Sequence, residues 1–154
     1  MKRIIIDQDK CDGCKNCSIA CMQAHREKPG TVYDLDLQDP KNEARHTIFP
    51  KIGGGYVPVF CRHCAVPDCV GACMSGALKK DSDGHVQYDE KRCGTCFMCV
   101  MSCSFGNCKP DKLSRSKVLK CDFCKDHEEG PACVKSCPKK AIHVEEINLG
   151  GIAV

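Results

Sequence analysis

Four cysteine runs follow one another along the chain: CDGCKNCSIAC (11–21), CRHCAVPDCVGAC (61–73), CGTCFMCVMSC (93–103) and CDFCKDHEEGPACVKSC (121–137). The first and third have the form C-x2-C-x2-C-x3-C. The second widens the middle gap to four residues and the fourth to eight, and all four keep the opening C-x2-C and the closing C-x3-C. An internal repeat of this kind constrains the fold more than any local propensity, because each unit must present its thiols in the same way.

The flanks repeat as well. IIIDQDKC before the first run matches VQYDEKRC before the third, so that Ile4 and Ile6 correspond to Val86 and Tyr88, and Asp7 to Asp89. Such alternation reads as short strands leading into the sulfur loops. The closing C-x3-C segments fit one helical turn, since residues four apart share a helix face. Five residues after each last cysteine stand Arg26, Leu78, Cys108 and Ile142, three of them apolar.

Between the second and third runs, Asp83-Gly84 is a hairpin signal, which makes those runs neighbours in one lobe. By elimination, the strand at Ile4–Ile6 pairs with the segment 141–147, and the second lobe combines the first and fourth runs. The expected organisation is one domain over 1–154 of class α+β, with short hairpins and short helices. Lobe A comprises 1–21 with 118–147, lobe B comprises 56–110, and 22–55 is an insert. The cysteine-free stretch 22–60 contains the acidic run DLDLQDP and the turn former GGG at 53–55, and Val57 and Val59 alternate as in a strand. It is expected to be a partner-facing loop or a plain solvated surface.

The chain has 17 cysteines in 154 residues, no tryptophan and only 5% aromatic residues, so ordinary core fillers are scarce. A disulfide scaffold would need an oxidising compartment. The start, MKRIIIDQDKC, has only a brief apolar patch and no twin-arginine pair, the cysteine count is odd, and the spacings are those of metal ligands. A cytoplasmic protein with thiolate ligands is expected. No stretch approaches the ~18 apolar residues of a membrane span, so membrane attachment would come through a partner.

The formal charge of +3 would mildly favour an anionic partner if the thiols stayed protonated. Sixteen thiolates around four oxidised clusters would bring it to about −5. Lys10, Lys15, Arg62, Arg92 and Lys120 then read either as partial neutralisation of that charge or as an ordinary solvated face.

A C-x2-C pair suits zinc as well as iron. A third cysteine shortly afterwards favours a cubane, which offers separate iron corners to successive thiolates of one curling loop. In the bacterial run C-x2-C-x2-C-x3-C-P, the fourth cysteine ligates a different cluster. A zinc-bound nucleic-acid module is the disfavoured alternative. No nucleophilic triad, paired-carboxylate site or phosphate loop is present, and GGG at 53–55 lacks the helix-opening context of a nucleotide loop.

The stretches YVPVFCRHCAVPDCVGACMSGAL, CGTCFMCVMSCSFG and CDFCKDHEEGPACVKSCPKKAI resemble the four-cluster ferredoxin-like electron-transfer subunits of molybdopterin oxidoreductases, hydrogenases, formate dehydrogenases and carbon monoxide dehydrogenases. ACMSGAL and CFMCVMSC resemble the short members associated with carbon monoxide dehydrogenase. The resemblance implies tandem bacterial-ferredoxin-like lobes, interleaved, each binding two [4Fe–4S] clusters.

It also implies crossed ligation. Cys11, Cys14 and Cys17 would share a cluster with Cys137, and Cys121, Cys124 and Cys133 one with Cys21. Cys61, Cys64 and Cys69 would pair with Cys103, and Cys93, Cys96 and Cys99 with Cys73. The implied function is a non-catalytic relay in anaerobic metabolism. It would pass single electrons between a catalytic enzyme, carbon monoxide dehydrogenase first, and a second oxidoreductase or ferredoxin. The alternative is a subunit of a formate dehydrogenase, hydrogenase or tungsten/molybdenum aldehyde oxidoreductase, including a filament-forming one. A hetero-oligomer is implied, with neither nucleic acid nor membrane insertion.

Family members often place proline after the last cysteine of a unit. Here only Pro138 does so, and Met22, Met74 and Ser104 hold the other positions. Each adds a backbone N–H, which either reaches a sulfur and raises its cluster's potential or simply continues a helix. Cys108 reads as a small buried hydrophobe in preference to a ligand or redox thiol. His63, inside the second C-x2-C, is expected to be structural or to support a ligand. His25, His46, His85, His127 and His143 have no companion spacing.

Overall fold

The computed structural model describes residues 1–147, so residues 148–154 of the expected domain lie outside the described residues. In chain order the elements are β1 (Lys2–Ile6), α1 (Asn16–Ala24), β2 (Thr47–Pro50), β3 (Tyr56–Val59), α2 (Asp68–Gly71), β4 (Leu78–Lys80), β5 (Val86–Tyr88), α3 (Met98–Ser102), β6 (Lys109–Pro110), β7 (Val118–Leu119), α4 (Ala132–Lys135) and β8 (Ile142–Glu146).

The strands form four separate antiparallel pairs, β1–β8, β2–β3, β4–β5 and β6–β7. β1 meets β8 with Ile4 opposite Val144 and Ile6 opposite Ile142, which joins the two ends of the described chain as expected. β4 and β5 form the hairpin signalled by Asp83-Gly84, where Gly84 takes a φ of +85°.

In three of the four repeats the helix does not span the whole C-x3-C segment. Only α1 contains both its cysteines, Cys17 and Cys21, whereas Cys103 caps α3 and Cys73 and Cys137 lie beyond the ends of α2 and α4. The middle gap decides how each helix starts. In the two narrow-gap repeats a left-handed residue, Lys15 or Phe97, precedes the helix; in the two wide-gap repeats an extended proline, Pro67 or Pro131, does so.

Two apolar clusters hold these pieces. One gathers Leu78, Val86, Val118, Cys69, Cys99 and Cys108, and the other Ile4, Phe60, Ile142 and Cys133 with Ile48, Phe123, Cys17 and Cys137 at its edge. Much of each core is sulfur. A lone two-stranded sheet is marginal in water, and each buried aliphatic side chain contributes only about 1.5–3 kcal/mol.

The insert differs from a free loop. Ile48, Pro58 and Phe60 pack against the first cysteine run, His46 stacks on Phe60 with ring centroids 4.1 Å apart, and Arg45 pairs with Asp122 at 2.6 Å. β3, grouped by sequence with the second run, pairs with β2 and faces the first run. The acidic run 34–40 is largely solvated, with Leu35 buried within it. Among the described residues no helix is long and apolar enough to cross a membrane.

Candidate metal centre

Every C-x2-C loop bends at the same place. The residue just before the second cysteine has a positive φ in all four repeats: Gly13 (+72°), His63 (+42°), Thr95 (+56°) and Phe123 (+62°). For non-glycine residues this costs roughly 1–2 kcal/mol each. In the first and fourth loops the N–H of the second cysteine is taken by the loop's own aspartate, Cys14 by Asp12 at 3.2 Å and Cys124 by Asp122 at 3.0 Å. Backbone donors reach sulfur at three places: Phe123 N–H inside the fourth loop to Cys121 Sγ at 3.5 Å, and, from outside the loops, Arg45 N–H to Cys21 Sγ and Asn107 N–H to Cys103 Sγ, both at 3.4 Å.

The cysteines converge across repeats. One small cavity is lined by Cys11, Cys14, Cys17 and Cys137, closed by Ile48, Pro58 and Phe60. A second is lined by Cys61, Cys64, Cys69 and Cys103, with Cys108 and Lys120 on its wall. In each, three thiols come from one run and the fourth from another. Cys133 lies among the sulfurs of Cys21, Cys124 and Cys17, and Cys121 faces Cys61 and Cys21. Cys73 faces Cys99, and Cys93 lies within hydrogen-bonding reach of the Tyr88 hydroxyl. All seventeen cysteines are free thiols, and only Cys14 and Cys96 are exposed.

Burial pushes the Cys17 thiol up to about 11 and raises Cys133 and Cys121 as well, with neighbouring sulfurs adding to the shift in all three. These sulfurs need a compensating positive charge to ionise. Cys69 and Cys99 differ: the Cys108 thiol beside both sulfurs holds them at about 6 and about 7, and is itself driven well up. Cys108 is 3% exposed, as expected of a small buried hydrophobe, and also bridges two repeats.

Several polar groups around the sulfurs carry no spacing signal in the sequence. Burial works to raise Cys21, but His25 and His46 hold it at about 6. His25 donates to the Cys21 carbonyl at 2.8 Å and reaches Asp122 at 3.1 Å. Burial disfavours its charge, yet Asp122 raises it to about 9. His25, Asp122 and Cys124 lie within one ion's reach, at 4.8 Å or less, but Asp122 is committed to His25 and Arg45.

His63 is 1% exposed and accepts the Val86 N–H at 2.9 Å, a structural position as expected. Of the five basic residues flagged by sequence, Lys10 pairs with Asp7 at the surface and Arg62 stacks over Phe105 at 4.2 Å. Lys120 alone is buried against sulfur. Burial works to lower its pKa, but Cys61 and Cys121 outweigh this and raise it. Met22 lies inside α1, which continues past Cys21, whereas Met74 is 87% exposed.

The donor set is all sulfur, three thiols of one run and one from another around each small cavity, with backbone N–H groups on three of the sulfurs. These residues fit a [4Fe–4S] cluster. A family model described as 4Fe-4S dicluster domain matches residues 53–147. The chain belongs to that family.

Among relatives, this dicluster-domain protein is 30% identical over 145 residues to the putative electron transport protein YsaA of Escherichia coli (strain K12), covering 94% of this chain and 89% of the relative. It is 34% identical over 147 residues to the B subunit of anaerobic dimethyl sulfoxide reductase from the same strain, covering 89% of this protein and 69% of that subunit. It is 35% identical over 151 residues to the NADH-dependent phenylglyoxylate dehydrogenase subunit beta of Aromatoleum evansii, spanning 95% of this chain but 31% of that one. Among solved structures, the active site complex BamBC of benzoyl coenzyme A reductase with zinc is similar at a TM-score of 0.51 and 29% identity, over 96% of this chain and 81% of that one. The matched segment 53–147 omits the first cysteine run, whose cavity needs Cys137 from inside it.

Proposed function

We propose that this chain is an electron-transfer subunit of an oxidoreductase complex, holding four [4Fe–4S] clusters with the crossed ligand sets implied by the sequence resemblance. Cys11, Cys14, Cys17 and Cys137 hold one, and Cys121, Cys124, Cys133 and Cys21 its neighbour. Cys61, Cys64, Cys69 and Cys103 hold a third, and Cys93, Cys96, Cys99 and Cys73 the fourth. The observation that carries this reading is the pair of cavities that each combine three thiols of one run with the last thiol of another. Each cluster, when bound, supplies a one-electron couple.

The protein's residues provide spacing, insulation and direction. Cys61 faces Cys121, which makes this one of the contacts between the two halves and the one that brings cysteines of both together. The only exposed cysteines, Cys14 and Cys96, belong to the two remaining sites. Electrons would accordingly enter at one of these and leave at the other, crossing the middle by way of Cys61 and Cys121.

The partner is a catalytic oxidoreductase, in keeping with the names of the dimethyl sulfoxide reductase and phenylglyoxylate dehydrogenase relatives. Carbon monoxide dehydrogenase as that partner rests on the sequence resemblance alone. Anaerobic affinity purification from native cells, with the captured enzyme identified by mass spectrometry, tests the reading. A stoichiometric oxidoreductase is expected, and an iron-loaded protein that captures none contradicts it.

A further inference from the structure

Lys120 stands at the contact between the two halves. Its side chain is 3% exposed, and its Nζ donates to Cys61 Sγ at 3.3 Å, the Cys121 carbonyl at 3.0 Å and the Val86 carbonyl at 3.2 Å. Among the described residues no carboxylate pairs with it. A buried, uncompensated ammonium costs several kcal/mol, and the groups this one touches belong to two different repeats, the sulfur of Cys61 and the carbonyl of Cys121. It lies on the wall of the Cys61 cavity and borders the cleft beside Cys121. The other flagged cations are paired or stacked elsewhere, or lie at the surface, so this charge is specific to one junction of the four sites.

A cation fixed beside a cluster's thiolates favours the added electron, as does a hydrogen bond to sulfur. We propose that Lys120 is a positioning residue for electron flow: a buried charge shared by the sites of Cys61 and Cys121, which raises the reduction potential of both and makes their junction the resting place of the first electron. The inference rests on the ligand sets proposed above. One electron arrives from a partner redox centre, no proton leaves Lys120, and no covalent bond is made or broken.

The test is a dithionite potentiometric titration of the anaerobic, iron-loaded full chain followed by EPR, on the wild type and on Lys120→Gln, Lys120→Met and Lys120→Arg. In the Gln and Met variants two of the four midpoints are expected to fall by at least a tenfold change in the reduction equilibrium, 59 mV for one electron. The other two should stay, and Arg should restore the pair. Four unmoved midpoints, or four that shift together, overturn the proposal. Should the neutral variants fail to load iron, the wild type grown on [ε-15N]lysine decides. The first-reduced signal is expected to show coupling to a lysine side-chain 15N, and its absence overturns the role of Lys120. A wild type that binds no iron overturns the ligand sets themselves, a result distinct from iron-loaded protein with unmoved midpoints.

Discussion

The ring of Tyr56 lies flat against Gly13: a Cβ placed at Gly13 would come within 2.5 Å of three of its ring atoms. Gly13 also has a φ of +72°, which side-chain-bearing residues rarely adopt. The β2–β3 hairpin thus covers the first sulfur loop at a point where only hydrogen fits. Gly13→Ala is expected to reduce iron bound at the Cys11 site, and Gly13→Ala/Tyr56→Ala to recover part of it. Iron per chain after anaerobic reconstitution checks this. Tyr56→Ala alone should retain iron but lose one cluster's signal faster in air.

Crossed ligation makes a pairwise prediction. Cys21→Ser should alter the same EPR signal as Cys124→Ser and leave the signal altered by Cys14→Ser intact. If Cys21→Ser and Cys14→Ser affect one signal together, the four thiols of the first run belong to a single centre.

Glu43 anchors the insert to the opposite half. Its side chain is 7% exposed and takes Lys109 at 2.9 Å. Removing one partner of a buried pair strands the other charge, at about 3–5 kcal/mol when fully buried. Because Lys109 is 25% exposed, Glu43→Ala should cost less, roughly 1–3 kcal/mol. Thermal unfolding of the anaerobic protein and faster proteolysis within 22–50 check it.

Asp111 organises the turn between β6 and β7, accepting from Ser114 N–H at 2.7 Å, Ser114 Oγ at 2.8 Å and Lys117 N–H at 3.1 Å. Burial works to raise its carboxyl, but these donors hold it at about 2, below its ordinary 3.8. A carboxyl depressed on folding stabilises above pH 3.8 and loses that contribution as pH falls through 2. Asp111→Ala should therefore destabilise by about 1–3 kcal/mol, with no dependence on pH from roughly 6 to 9. Hydrogen exchange at Ser114 and Lys117 should quicken.

The legible parts of this molecule were those with a period. Ile4 and Ile6 alternate and lack a near partner, which pointed to the 141–147 segment, and β1 pairs with β8. Asp83-Gly84 marked the β4–β5 hairpin. β2 and β6 had no such signal: each ends in proline, and β6 is two residues long, so only tertiary packing makes them strands. The closing C-x3-C segments misled in three repeats: each helix starts one residue before the third cysteine but ends after four or five residues, so the last cysteine falls at or past its end.

The sulfur positions follow from spacing, but their surroundings do not. Lys120 carried only its place beside Cys121, and lysine is ordinarily solvated. Its burial arises from the approach of Cys61, fifty-nine residues away. His25 and Asp122 meet across ninety-seven residues, a separation at which neither residue type announces the other.

Iron and acid-labile sulfide per chain, measured on anaerobically purified protein, test the central claim most directly. Four [4Fe–4S] clusters predict a brown protein with about sixteen iron and about sixteen sulfide. A colourless protein with about four zinc and no sulfide would contradict it.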